Sequence, residues 1–222
     1  MVLINFHYCK NHRPKPLPNS LSVKNLSCTR SEKTLFDALE FSVNASCCLH
    51  VTGSNGSGKT SLLRMLCGLF DVDNGDIRWN GDQIKNNQAF FNDLAYIGHK
   101  DGIKNELSAA ENLSFYQALN NRADPSLVDD YLARMGILAS ADLAAQVLSF
   151  GQRRRLAFAR LLITNHSLWI LDEPFTGIDH AGRKLIESIC LDHLLNNGII
   201  ILTHHQSLAT SSLAPHLDEL KL

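Results

Sequence analysis

The sequence has no apolar run approaching the ~20 residues a helix needs to cross a bilayer; its longest runs, such as Leu168–Leu171 and Ile199–Leu202, are strand-sized. It has no excess of either charge, with 21 Lys and Arg against 22 Asp and Glu over 222 residues. No global field gathers nucleic acid or an anionic membrane, so any work at a membrane runs through a partner and no nucleic-acid partner is expected. The six cysteines, at 9, 28, 47, 48, 67 and 190, form no C-x-x-C pair, no zinc spacing and no C-x-x-C-H haem attachment site. The opening residues hold no apolar stretch long enough for a secretory signal. Free, mostly buried thiols in a reducing compartment are the expectation. No repeat is visible at solenoid periods.

What is present is a globular composition, 45% hydrophobic and 19% charged, which argues against disorder over most of the length. Residues 1–20 read as an N-terminal extension, extended and flexible, because Pro14, Pro16 and Pro18 alternate with basic and polar residues. Cys9 and His12 lie within it, and two ligands alone make no metal site. Residues 21–222 read as the folded domain. Cys48–Thr52, Leu168–Leu171 and Ile199–Leu202 are apolar on both faces, which suits a parallel sheet covered by helices on each side. After the first run, Leu62, Leu63, Leu66 and Leu69 recur at helical spacing, so strand, glycine loop and helix follow directly, as in an α/β nucleotide fold. Farther on, Ser108 and Glu111 form a capping-box pattern ahead of Leu113, Tyr116 and Leu119. Asp124 is placed to cap a second helix that starts at Pro125 and ends before Gly136. A helical insertion between sheet-forming segments follows.

Three motifs carry chemistry. Gly53-Ser54-Asn55-Gly56-Ser57-Gly58-Lys59-Thr60 fits G-x-x-x-x-G-K-[ST]. Its glycines allow backbone amides to approach phosphate, Lys59 supplies a charge for the β and γ phosphates, and Thr60 offers a hydroxyl to Mg²⁺. In Leu168-Trp169-Ile170-Leu171-Asp172-Glu173 a buried strand ends in two carboxylates, Asp172 suited to Mg²⁺ and Glu173 to polarising a water as general base. In Leu148-Ser149-Phe150-Gly151-Gln152 a turn runs into Arg153-Arg154-Arg155. Three arginines near a helix start oppose the helix dipole, so an anion docking there is the functional expectation.

With these parts in this order, followed by Thr176-Gly177-Ile178-Asp179 and His204, the sequence resembles the ATP-binding subunits of ABC transporters over about residues 21–210. The resemblance implies a P-loop NTPase fold of the ABC type: an α/β domain with a mostly parallel central sheet, an antiparallel β part and a helical subdomain at about 100–160. It implies ATP and Mg²⁺ as cofactors, held by the loop from Gly53 to Thr60 with Ser61 following. Ser149, Gly151 and Gln152 would act on the nucleotide of a second copy in an ATP-dependent, head-to-tail dimer. Asp179 is the acid of the loop after the catalytic strand, and His204 is similar to the switch histidine that contacts the γ-phosphate. Three positions depart from the family pattern. His99 stands where glutamine is usual, Arg30 near the usual aromatic under adenine, and Phe150 in place of the first signature glycine.

Within the family, Asn25–Arg30, Leu35-Phe36, Gly98-His99 and Leu168–Thr176 with Ile178-Asp179 resemble the haem-exporter ATP-binding subunits of cytochrome c maturation. That resemblance implies ATP hydrolysis coupled to haem export or release on a haem chaperone. It also implies a polytopic membrane partner (two ATPase and two membrane subunits), other cytochrome c maturation proteins, and a peripheral place on the cytoplasmic side of the bacterial inner membrane. The alternative is the same engine serving another exporter with a different substrate.

Overall fold

Three strands buried on both faces form the centre of the protein: β3 (Cys48–Thr52), β7 (Leu168–Asp172) and β8 (Ile199–Thr203). With β6 (Leu94–Ile97) and β9 (Leu217–Lys221) they make a parallel five-stranded sheet in the order β6-β7-β8-β3-β9. The computed structural model describes residues 18–30, 32–120 and 124–222. Of the expected extension over residues 1–20, residues 1–17, with Cys9 and His12, lie outside the described residues, and Ser20 already begins a strand.

Side chains alternate across a strand, and here the alternation divides the interior into two cores. Leu49, Val51, Leu168, Ile170, Ile199 and Ile201 face one side, where they meet Leu62, Leu63, Met65 and Leu66 of α1 (Lys59–Leu66). Cys48, Trp169, Leu171, Ile200 and Leu202 face the other, against α5 (Phe150–Thr164) and α6 (His180–Leu195). Because both faces are covered, the strands need continuous apolar runs rather than polar alternation.

A second, antiparallel sheet packs over the α1 core in the order β2-β1-β4-β5: β1 (Ser20–Arg30), β2 (Lys33–Asn44), β4 (Asn74–Trp79) and β5 (Asp82–Gln83). Within β1 the buried set changes phase, Leu21 and Val23 giving way to Leu26 and Cys28, at a register shift beside Asn25. Gly75 makes this possible: a Cβ there would lie 2.5 Å from the Asn25 carbonyl oxygen. The parallel and antiparallel sheets match the expected α/β architecture.

Between β6 and β7 the chain is helical, with α3 (Ala109–Leu119), α4 (Val128–Arg134) and α5, preceded by the short α2 (Gln88–Asp93) before β6. The capping box at Ser108 and Glu111 forms as the pattern predicts. Two local expectations differ. The helix after the glycine loop ends at Leu66, leaving Leu69 exposed beyond it. Asp124 accepts the Ser126 amide at 3.1 Å and opens a 3-10 turn (Pro125–Leu127) ahead of α4 rather than capping α4 itself. Among the described residues no helix is long and apolar enough to cross a membrane.

At the end of the sheet remote from the glycine loop, His193 stacks flat on Trp169, ring centroids 3.8 Å apart. Burial pushes the His193 imidazole down to about 4, partly opposed by the carbonyls of Ile199 and Ser167. Above the unfolded value both states hold it neutral; below, only the unfolded chain takes up the proton, so stability falls as pH drops from about 6.5 towards 4. Urea unfolding at pH 7 and pH 4.5 should show wild type losing up to about 3 kcal/mol more than His193→Gln across that interval. Equal losses would show that His193 contributes nothing to the acid sensitivity.

Candidate functional site

The parallel strands deliver their C-terminal ends to one edge of the sheet. Asp172 at the end of β7 pairs with Thr203 at the end of β8, and Thr203 pairs with Val51 on β3, just before Gly53. The topology therefore sets the glycine loop beside the two carboxylates, the place where open α/β sheets bind ligands. A cavity of about 380 Å³ opens there, lined by Arg30, Asn55, Gly56, Gly58, Lys59, Thr60, Ser61, Asp172 and Glu173 of the expected residues, and by Leu35 and His205.

The loop is shaped by glycines at positive φ, Gly56 at 80° and Gly58 at 105°. A Cβ on Gly58 would press on Leu35 and Phe36 at 3.0 and 3.2 Å, so the loop also needs glycine for space. Gly58 caps α1 with no side chain, leaving the first-turn amides of Lys59, Thr60 and Ser61 without a side-chain acceptor from the cap. Such amides, at the positive end of the helix dipole, form an anion site. The Lys59 ammonium donates to the carbonyls of Gly53 at 2.8 Å and Ser54 at 3.0 Å, which tether it across the loop. The Ser57 hydroxyl is buried there without a hydrogen-bond partner.

Asp172 is held from both sides. The Thr60 hydroxyl donates to its Oδ2 at 3.0 Å and the Thr203 hydroxyl to its Oδ1 at 2.7 Å. A hydroxyl and a carboxylate in contact, both oxygen donors beside a phosphate-shaped loop, fit a hard divalent cation such as Mg²⁺.

Glu173 adopts φ 51°, in the left-handed region, which costs a non-glycine residue about 1–2 kcal/mol. The strain is held in place at both ends of the residue. Its amide donates to Thr203 Oγ1 at 2.9 Å, and its carbonyl accepts from Arg154 Nη2 at 2.9 Å. Burial acts to raise the Glu173 carboxyl, but the His204 hydrogen bond, the charge of His205 and the Thr176 hydroxyl outweigh it, so the group lies below the usual glutamate range. It is ready as a carboxylate base.

Arg154 organises this end of the sheet. Its guanidinium, 3% exposed, pairs with Asp101 at 2.7 Å and donates to the carbonyls of Asp172, Glu173 and Pro174 at 3.0, 2.9 and 3.2 Å. The expectation that Arg153, Arg154 and Arg155 await an anion is thereby revised. Arg153 bonds Asn105 at 2.8 Å and Arg155 reaches the Gly136 carbonyl at 3.4 Å, so all three serve internal acceptors. One signal was available in the sequence, since Arg154 lies at helical spacing with Phe158 and Leu161 on the buried stripe of α5.

Other expected residues lie elsewhere. Ser149 and Gln152 form the capping box of α5, with bonds of 2.8 and 3.2 Å, and a Cβ added at Gly151 would meet nothing within 4 Å. Asp179 caps α6, accepting the Gly182 amide at 2.9 Å. Phe150 lies on Gly177, where a Cβ would come within 2.5 Å of its ring. None of these lines the cavity, and neither does His99, in the loop after β6. Arg30 lines the rim with its guanidinium 4.6 Å from the Phe70 ring centroid. His204 is buried beside Glu173, while His205, for which no motif in the sequence speaks, lines the cavity.

The chain is similar to several known proteins. Residues 36–176 match the family described as ABC transporter. The chain is 45% identical to the cytochrome c biogenesis ATP-binding export protein CcmA of Aliivibrio fischeri over 193 residues, covering 86% of this chain and 95% of that protein. It is 46% identical to the protein of the same name from Nitrosomonas europaea over 205 residues, covering 91% and 96%. In fold it is similar to the ADP conformation of an ATP-binding cassette of an ABC transporter, with a TM-score of 0.75 at 20% identity over 91% of this chain and 87% of that one. A putative ABC transporter ATP-binding protein from Pyrococcus furiosus superposes with a TM-score of 0.78 at 23% identity over 90% and 97%.

The Arg154 contacts lead to a stability prediction. Arg154→Met leaves Asp101 as an unpaired buried charge and strips three carbonyls of their donor, so it should cost about 3–5 kcal/mol. Urea unfolding of the variant checks this; a loss below about 1 kcal/mol would show that Arg154 does not brace this edge.

Proposed function

The chain belongs to the ABC transporter family, and from that premise we propose that it is the ATP-hydrolysing subunit of a transporter serving cytochrome c biogenesis. The observation that carries the reading is the meeting of Lys59, Thr60, Asp172 and Glu173 around one cavity, with Thr60 and Asp172 in contact at 3.0 Å. The named role of the Aliivibrio fischeri and Nitrosomonas europaea relatives supports the biological assignment.

In this reading the loop amides from Gly53 to Thr60, with Ser57 and Ser61, surround the phosphates of ATP, and Lys59 leaves its carbonyl tethers for the β and γ oxygens. Arg30 lies at the rim beside the base. Thr60 and Asp172 would hold Mg²⁺, which when bound would offset the negative charge of the triphosphate. Glu173 accepts a proton from the water that attacks the γ-phosphorus. The depressed Glu173 carboxyl matters here, because a protonated acid cannot serve as base.

The residues that lie away from the cavity find their use in a second copy. Ser149, Gly151 and Gln152 at the start of α5, with Asp179 at the start of α6, face a partner's nucleotide in the head-to-tail dimer. Partner binding closes the site around ATP, and hydrolysis reopens it. His99 stands where glutamine is usual and can still donate a hydrogen bond to water or phosphate. The helical part at about 100–160 is the movable subdomain of the folded unit from residue 21 onward. The complex pairs two such subunits with two polytopic membrane subunits, on the cytoplasmic face of the bacterial inner membrane and in company with other cytochrome c maturation proteins.

Two measurements test this reading. Glu173→Gln should bind ATP and accumulate a dimer on ATP addition, seen by light scattering; a monomer at saturating ATP, with binding shown by titration, would contradict the composite site. Affinity purification of the tagged chain from mildly solubilised membranes should bring down a small polytopic subunit with cytochrome c maturation proteins. Recovery of an unrelated permease would retain the ATPase and reject the cytochrome c assignment.

A further inference from the structure

The cavity has walls from both sheets. Asp172 ends β7, Glu173 follows it and His205 follows β8, all on the side of the parallel sheet. Arg30 ends β1 and Leu35 lies on β2, on the side of the antiparallel sheet. The phosphate loop touches both walls: the Thr60 hydroxyl meets Asp172 at 3.0 Å, and Gly58 lies against Leu35, whose Cβ would be 3.0 Å from a Cβ added there. A nucleotide with its terminal phosphate at the carboxylates therefore directs its base towards the antiparallel wall. The side chains lining that wall are one cation and one aliphatic group.

The cation is seated. The Arg30 guanidinium carbon lies over the Phe70 ring, 4.6 Å from its centroid, within the distance at which a cation and an aromatic face attract. Phe70 follows α1 and is partly buried against the α1 core. Arg64, in the last turn of α1, lies over the same ring at 5.4 Å, and the negative ring face offsets the repulsion between the two cations. The Asp73 carboxylate, three residues beyond Phe70, accepts the Thr29 amide at 3.0 Å and ties this segment to the end of β1. Among the described residues no carboxylate pairs with the Arg30 guanidinium. Its charge is met by a ring instead. Arg30 is exposed and lines the cavity, so its side away from Phe70 is open to a ligand.

We propose that Phe70 is a positioning residue for nucleotide binding: it seats Arg30 as a flat platform on which the base stacks, in the order Phe70, Arg30, base. The inference rests on the ATPase reading above and deepens it at the base. A guanidinium is planar, delocalised and weakly hydrated, so it can stack on a π face on either side. Held by the ring, it is ordered before the base arrives, which reduces the entropy lost on binding. A stack meets the face of a base and not its edge, and every base has a π face. ATP and GTP are therefore held alike, and Leu35 adds apolar area without a hydrogen-bonding group. The platform acts on the base alone, while the glycine loop and Lys59 hold the phosphates.

The test is calorimetric titration of the full chain with ATP, GTP and tripolyphosphate, the last supplying phosphates without a nucleoside. Wild type is compared with Arg30→Ala, Phe70→Leu, Phe70→Met and Phe70→Tyr, and thermal unfolding of each shows a folding defect directly. Arg30→Ala should weaken ATP and GTP about tenfold, the usual loss for one stacked base, and leave tripolyphosphate within about two-fold. Phe70→Leu and Phe70→Met keep apolar bulk without the ring, and should weaken both nucleotides about three-fold with tripolyphosphate again unchanged. Phe70→Tyr keeps the ring face and should bind as wild type does, which a loss through general loosening would not produce. In wild type, ATP and GTP should bind within about tenfold of each other, and a larger gap would overturn stacking on the face alone. A loss of tripolyphosphate as deep as that of ATP in Arg30→Ala would show a phosphate contact and overturn the platform, as would unchanged ATP binding in that variant. Wild-type binding in Phe70→Leu and Phe70→Met beside a loss in Arg30→Ala would overturn the part given to Phe70. Absence of both ATP and tripolyphosphate binding by wild type would instead remove the ATPase reading, and the proposal with it.

Discussion

The guanidinium of Arg154 is the point on which the catalytic edge depends. A β7 end that carries two carboxylates and a left-handed residue would not hold its shape on sheet hydrogen bonds alone. Asp172, Glu173 and Pro174 turn successive carbonyls inward, and a single planar fork collects all three while pairing with Asp101. A lysine offers a point charge with no such geometry. Because the fork comes from α5, whose first turn carries Ser149 and Gln152, the residues proposed to face a partner's nucleotide are braced against those proposed to act on the chain's own.

A second connection runs over the surface. Phe150 rests on Gly177, so the start of α5 also touches the turn leading to Asp179 and α6. The departure from a signature glycine is thus absorbed by a glycine across from it. The bulky ring costs backbone freedom at 150 and gains a contact between the two segments that face outward. Thr203 makes the third tie: its hydroxyl donates to the Asp172 carboxylate and accepts from the Glu173 amide, so that β8 registers the position of both acidic residues.

Much of this was legible in the sequence. Continuous apolar runs ending in Gly53, Asp172 and Thr203 placed three strand ends together, since parallel strands buried on both faces deliver their C-termini to one edge. The order of strand, glycine loop and helix and the capping box at Ser108 are local patterns whose physics lies within a few residues, and both form as expected. What escaped depended on tertiary neighbours. Arg154 looked like part of a basic cluster because charge is visible in a sequence and burial is not; its helical phase with Phe158 was the available sign. The place of His205 on the cavity wall could have been read by extending the strand alternation past β8. The 3-10 turn after Asp124 had no comparable signal, as the same capping residues serve both helix types. The proposed role of Ser149, Gly151, Gln152 and Asp179 at a second copy's nucleotide had no sign in their spacing, because one sequence contains no dimer geometry.

The most direct test is an experimental structure of the ATP-bound Glu173→Gln protein. The predicted result is a dimer in which each triphosphate lies in a Gly53–Thr60 loop, with Thr60 and Asp172 beside the cation and Arg154 still bonded to the carbonyls of residues 172–174. Phosphates bound outside the loop, or residue 173 turned away from the γ-phosphorus with Arg154 released, would contradict it.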